Sequence, residues 1–126
     1  MNPATPRILI VEDSDSLRKL VRLTLDMGRY ELHEAETGDA AWASLPRLQP
    51  QLVILDVMMP GTLDGFALCR RIKADPALAT TRVVLLTARS QQADLATGAG
   101  VGADAYLVKP FSPLQLIETV RQQLGA

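Results

Sequence analysis

The sequence predicts an α/β fold, a doubly wound five-stranded parallel sheet flanked by five helices. Three observations predict it. Short aliphatic runs recur along the chain, a segment with helical period or helix-capping residues follows each run, and the connections between them are short. Strand–helix alternation of this kind calls for right-handed crossovers, which put helices on both faces of a single sheet.

Arg7-Ile8-Leu9-Ile10-Val11 opens the series as a run too short for a helix and unbroken by polar residues, the pattern of a strand buried on both faces. Leu17, Leu20, Val21 and Leu25 then repeat at i, i+3, i+4 and i+8, with Gly28 placed to end an amphipathic helix. Tyr30 to Ala35 reads as the second strand. Thr37 caps a helix through Ala40, Ala41, Trp42 and Leu45, which Pro46 disturbs near its end. Leu52-Val53-Ile54-Leu55 is the third strand, and Asp64 caps the helix through Phe66, Leu68, Cys69 and Ile72. Arg82 to Leu86 is the fourth strand, Ser90-Gln91-Gln92 opens the fourth helix, and Ala105 to Val108 is the fifth strand. Three glycines in Thr97–Gly102 predict a frayed end for that fourth helix, each costing about 1 kcal/mol relative to alanine. Ser112 as N-cap and Pro113 in the first turn start the last helix, whose face of Leu114, Ile117, Val120 and Leu124 ends at Gly125.

The 126 residues suit one compact domain, expected over 7–126 behind a short N-terminal extension of 1–6. A hydrophobic share of 48% with 21% charged residues is that of a globular chain and excludes disorder. The net charge of −1 and scattered Lys and Arg, Arg70-Arg71 among them as a solvated helix face, give no basic stripe for a polyanion, so direct nucleic-acid contact is not expected. The first residues lack a secretory leader and the apolar runs are too short to cross a bilayer, so no membrane contact and a cytoplasmic location are expected. Cys69 is the sole cysteine, which excludes an intrachain disulfide or a cysteine zinc cluster; its apolar neighbours mark it as buried and inert.

In doubly wound sheets, ligands bind beyond the carboxyl ends of the strands. The residues that follow the apolar runs are Glu12 and Asp13 after the first, Asp56 after the third, Thr87 after the fourth and Lys109 after the fifth. Any one of them is an ordinary loop or cap residue, but together they put three carboxylates, a hydroxyl and a lysine on one rim. Two unit charges about 4 Å apart interact by ~1 kcal/mol in water and by ~4 kcal/mol at an effective dielectric of about 20, so such a cluster calls for a cation. Oxygen ligands without His or Cys select a hard ion, Mg²⁺ or its relative Mn²⁺. His33, mid-strand and the only histidine, reads as structural.

Glu12-Asp13, Asp56-Val57-Met58-Met59-Pro60 with Asp64-Gly65 beyond, Thr87-Ala88, and Tyr106-Leu107-Val108-Lys109-Pro110-Phe111, in this order and spacing, resemble the response-regulator receiver family over about Arg7 to Leu124. The resemblance implies the (βα)5 flavodoxin-like receiver fold. It implies a two-component or phosphorelay role in which Asp56 accepts a phosphoryl group from a sensor histidine kinase or a histidine phosphotransfer protein. Glu12, Asp13, an oxygen of Asp56 and the backbone carbonyl of Met58 would hold Mg²⁺. Lys109, aimed inward by a cis Lys109-Pro110 bond, would pair with Asp56 and then with a phosphoryl oxygen. Thr87 and Tyr106 would form the switch, read out on a face of the fourth helix, fifth strand and fifth helix. The resemblance makes the chain a regulatory phosphoacceptor rather than an enzyme, a monomer or a weak phosphorylation-dependent dimer.

Gly61-Thr62-Leu63 makes the loop after Pro60 one residue longer than the common family pattern. Met58 and Arg89, at the two positions that tune dephosphorylation in the family, would not orient a water, which implies a long-lived phosphoryl group. A haloacid-dehalogenase-like phosphatase would need a second Asp where Met58 stands. A flavodoxin-like carrier would not place Glu12-Asp13 against a flavin phosphate. A receiver-shaped module that is never phosphorylated is the stronger rival. The absence of an output segment after Gly125 fits a stand-alone regulator, or equally a receiver fragment of a larger one.

Overall fold

The computed structural model describes residues 5–26, 28–59, 61, 63–87, 100 and 102–125. Strands β1 (Arg7–Val11), β2 (Glu31–Ala35), β3 (Leu52–Asp56), β4 (Arg82–Thr87) and β5 (Ala105–Val108) form one parallel sheet in the order β2-β1-β3-β4-β5. Helices α1 (Asp15–Leu25), α2 (Gly38–Leu48), α3 (Gly65–Ala74) and a C-terminal helix (Pro113–Leu124) accompany it. The predicted fourth helix, with its Ser90-Gln91-Gln92 start and most of the Thr97–Gly102 segment, lies outside the described residues, as do Pro60, Thr62, Ala88 and Arg89.

Burial explains the aliphatic runs. Every residue of β3 is buried, and so are Ile8–Val11 of β1 and Val83–Thr87 of β4. Alternate residues feed two cores. Leu9, Val11, Val53, Leu55, Val83 and Leu85 pack with Leu45 of α2 and with Leu68, Cys69 and Ile72 of α3. Ile8, Ile10, Ile54, Val84 and Leu86 pack with Val21 and Leu25 of α1 and with Leu116 and Val120 of the C-terminal helix. Each such side chain withdrawn from water contributes roughly 1.5–3 kcal/mol. β2, at the sheet edge, is only partly covered, and its His33 bonds Glu31.

The caps follow the sequence. Thr37, Asp64 and Ser112 accept from the N–H groups of Ala40, Ala67 and Gln115, and Gly125 ends the last helix at φ 74°. Pro46 does not stop α2, which continues to Leu48 and ends at Gln49, φ 48°, whose N–H reaches the carbonyl of Leu45. Two features went unanticipated: Ser14 caps α1, and Asp75 caps a 3-10 turn over Pro76–Leu78. Among the described residues no helix is long and apolar enough to cross a membrane.

Candidate functional site

From β1 the chain moves outward to β2, then returns across β1 to β3 and on to β5, so the reversal of strand order lies between the carboxyl ends of β1 and β3. Register and period bring the polar residues together there. Val11 pairs with Leu55, so the next residues, Glu12 and Asp56, fall side by side. Both continue the parity of the residues that face α1 and the C-terminal helix, and Lys109 continues the parity of Ala105 and Leu107 on that same side. Thr87 and Tyr106 follow the opposite parity, toward α2 and α3.

The result is a compact charged group. Lys109 Nζ lies 3.1 Å from Asp56 Oδ1 and 3.4 Å from Glu12 Oε1. Glu12 and Asp56 are buried, and Asp13 is exposed. Glu12 Oε2 accepts from the Ser14 N–H at 3.0 Å, and Asp56 Oδ1 accepts from the Met58 N–H at 3.2 Å. Burial pushes the Glu12 carboxyl up to about 7, against the lowering effect of the Ser14 N–H and with help from the neighbouring Asp56 charge.

One carboxylate oxygen from each of Glu12, Asp13 and Asp56 lies within 4.8 Å of the others, the sole group of this kind among the described residues. The donors are oxygens only, two of them desolvated, and one lysine offsets the negative charge only in part. That chemistry fits a hard divalent ion.

Thr87 ends β4 with its side chain buried, and its Oγ1 has no hydrogen-bond partner among the described residues. An unsatisfied buried hydroxyl usually marks a function or a partner yet to come. The carbonyl of Thr87 accepts from the Lys109 N–H at 2.8 Å, so the hydroxyl and the ammonium hang on hydrogen-bonded neighbouring strands. Tyr106 is half-buried against the α2–α3 core, opposite Leu85 of β4, and burial raises its phenol. The Lys109-Pro110 peptide is cis, and the Met58 side chain is exposed beside Asp56.

Two contributors escaped sequence reasoning. Arg18 Nη1 donates to the Glu12 carbonyl at 2.7 Å. Gly65 lets the start of α3 press on the strand that carries Asp56, since a Cβ there would sit 2.2 Å from the Asp56 carbonyl oxygen. The Asp64-Gly65 pair hinted at the second, and nothing in the sequence hinted at the first.

The family model for the response regulator receiver domain matches residues 8–121. The chain belongs to the response-regulator receiver family. It is 40% identical over 118 residues to the transcriptional regulatory protein ResD of Bacillus subtilis, a match covering 94% of this chain and 48% of ResD. It is 38% identical to the phosphate regulon regulatory protein PhoB of Pseudomonas aeruginosa, covering 93% of this chain and 51% of PhoB. The receiver thus spans about half the length of the curated relatives it matches. Among solved structures it is similar to the chemotaxis response regulator CheY4 of Vibrio cholerae, with a TM-score of 0.88 and 31% identity over 95% of this chain and 99% of that one. It is also similar to the receiver domain of a signal transduction histidine kinase from Syntrophus aciditrophicus, with a TM-score of 0.89 and 36% identity over 96% and 91%. The chain is therefore a receiver of the kind found in two-component response regulators, and Glu12, Asp13 and Asp56 form a group that could hold a metal ion.

Proposed function

We propose that the chain is a phosphoacceptor. A carboxylate oxygen of Asp56 attacks the phosphorus of a phosphohistidine on a sensor histidine kinase or a histidine phosphotransfer protein. A P–O bond forms, the P–N bond breaks, and its electron pair returns to the imidazole. The observation that carries this reading is the ammonium of Lys109 seated 3.1 Å from Asp56, within a group of three carboxylates.

Glu12, Asp13, Asp56 and the backbone carbonyl of Met58 would hold Mg²⁺ or Mn²⁺, which supplies charge neutralisation as phosphoryl oxygens approach. Lys109 moves its donor from Asp56 to a phosphoryl oxygen. The chain performs no turnover beyond its own phosphorylation and dephosphorylation, so it is a regulator rather than an enzyme. Met58 exposed two positions after Asp56 offers no group to orient a hydrolytic water, which favours a long-lived acyl phosphate.

Phosphorylation adds about −2 charge and three strong acceptors. The Thr87 hydroxyl, without a partner among the described residues, turns to one of them, and the Tyr106 ring follows into the vacated space. A swing from 1:99 to 99:1 between two states takes roughly 5.5 kcal/mol, within reach of a few charge-assisted hydrogen bonds. The readout surface is the face of the predicted fourth helix, which lies outside the described residues, with β5 and the C-terminal helix. Its partner is a protein, and the receiver is a monomer or a weak phosphorylation-dependent dimer in the cytoplasm, behind an extension of residues 1–6. One relative, RpaA of Synechocystis, is named a DNA-binding regulator; the match covers 49% of it, and nucleic-acid contact is not proposed for the part in hand.

The test is incubation with acetyl phosphate and Mg²⁺, read by mass spectrometry. One added phosphoryl group, absent in Asp56→Asn and without Mg²⁺, is expected. No mass gain in the unaltered chain would leave a receiver-shaped interaction module in place of a phosphoacceptor.

A further inference from the structure

We propose that Arg18 is a positioning residue for the acidic pocket, fixing the peptide unit that links Glu12 to Asp13. The inference rests on reading those two residues as metal ligands. As a helix residue three positions after Asp15, Arg18 would ordinarily be one half of a surface pair worth 0–1 kcal/mol. Its contacts are of another kind. The side chain is only 11% exposed, and its planar fork reaches three elements: Nη2 to Asp15 Oδ1 at 2.6 Å in α1, Nε to Glu34 Oε1 at 3.1 Å in β2, and Nη1 to the Glu12 carbonyl at 2.7 Å beyond β1. Glu36 adds a fourth oxygen at 3.6 Å.

The carbonyl contact completes the bracing of Glu12. Its N–H donates to the Ala35 carbonyl at 3.2 Å, Oε2 accepts from Ser14, and Oε1 takes Lys109. With Arg18 on the carbonyl, every polar group of Glu12 is held. The carbonyl Arg18 grips belongs to the same peptide plane as the N–H of Asp13, so a tilt of that plane would move both carboxylates at once. Asp15 and Glu34 offset the guanidinium charge, which makes the contribution geometric. An ammonium lacks the flat fork needed to serve Glu12, Asp15 and Glu34 together. Groups that orient metal ligands typically cost 10–100-fold in affinity when removed.

The test is Mn²⁺ binding, followed by the paramagnetic resonance of the free ion, in the unaltered chain, Arg18→Met, Arg18→Lys and Arg22→Met. Arg22 also binds Glu34 but does not touch Glu12, so it reports a mere staple between α1 and β2. Arg18→Met is expected to weaken Mn²⁺ at least tenfold, Arg18→Lys at least threefold, and Arg22→Met less than twofold. In metal-free protein, exchange of the Ser14 amide should quicken in Arg18→Met and stay unchanged in Arg22→Met. Folded Arg18→Met within twofold of the unaltered chain, or Arg22→Met weakened as much as Arg18→Met, would overturn the proposal. Should Arg18→Met fail to fold, Arg18→Lys decides by the same limits. No Mn²⁺ binding by the unaltered chain would instead remove the metal reading on which this one stands.

Discussion

The ammonium of Lys109 donates to Asp56 Oδ1 across 3.1 Å, joining positions 53 residues apart in the chain. Glu12 Oε1 lies 3.4 Å from the same nitrogen, and among the described residues Lys109 is the one cation within 4 Å of either buried carboxylate. The lysine is thus a structural counter-charge, and on the proposed reading it would also meet the incoming phosphoryl group.

Lys109→Met tests both roles. Leaving a buried charge unpaired costs several kcal/mol, but Lys109 is 31% exposed, and water reduces the loss to about 1–2 kcal/mol. Urea unfolding at pH 8 without Mg²⁺ should show that loss, Mg²⁺ should recover part of it, and phosphorylation by acetyl phosphate should slow at least tenfold. Unchanged stability and rate together would separate Lys109 from the pocket.

Glu12 gives the pocket a pH dependence. Its carboxyl titrates near 7 in the folded, metal-free chain against 4.5 in the unfolded one, so the folded state holds this proton more tightly. The stabilisation from that proton is complete below about 4.5 and is lost as pH rises through 7, on the order of 3 kcal/mol in all. Metal-free protein should therefore lose stability between pH 5 and pH 8 relative to Glu12→Gln, measured by urea midpoints at fixed ionic strength. Mg²⁺, which on the proposed reading would bind the ionised form, should flatten the difference. Parallel curves for the two proteins would disprove the shift.

Gly65 and Gly100 should answer oppositely to alanine. A Cβ at Gly65 would lie 2.2 Å from the Asp56 carbonyl oxygen and 2.6 Å from Val57 Cα, both backbone atoms that cannot swing away. Gly65→Ala should cost about 1–3 kcal/mol and perturb the Asp56 and Val57 amide shifts. Gly100 is exposed and helical, and a Cβ there would meet no atom of the described residues within 4 Å, so Gly100→Ala should be neutral or stabilising by up to about 1 kcal/mol. Equal effects at the two sites would contradict the packing of α3 against β3.

Local patterns carried most of this architecture into view. Apart from the edge strand β2, each strand is built on an apolar run closed by a polar residue, so the period of two and the strand order together bring Glu12, Asp56 and Lys109 to one rim. Thr37, Asp64 and Ser112 cap helices through contacts three residues away, and such short reach is legible in sequence. Arg18 was not legible because its grip on Glu12 depends on where α1 lies over β1 and on Glu34 arriving from β2. Gly65 was legible as a pattern only; the reason for it, the Asp56 backbone pressed against α3, is a tertiary fact. Pro46 falls near the end of α2, as the sequence suggests, and the helix closes two residues past it.

Thr87 separates stability from signalling. Its hydroxyl is buried with no partner among the described residues, a state that costs roughly 1–3 kcal/mol of desolvation. Thr87→Val keeps the shape and removes that cost, so the unphosphorylated protein should become more stable by about 1 kcal/mol or more in urea unfolding. Acetyl phosphate should still add one phosphoryl group to Asp56, since Thr87 neither attacks nor holds the metal. The chemical-shift change at Tyr106 on phosphorylation should vanish, because nothing then draws the end of β4 toward the new acceptor. A loss of stability in Thr87→Val would mean that the hydroxyl is already bonded in the resting state. A Tyr106 response that survives the substitution would mean that the signal travels from Asp56 by another path.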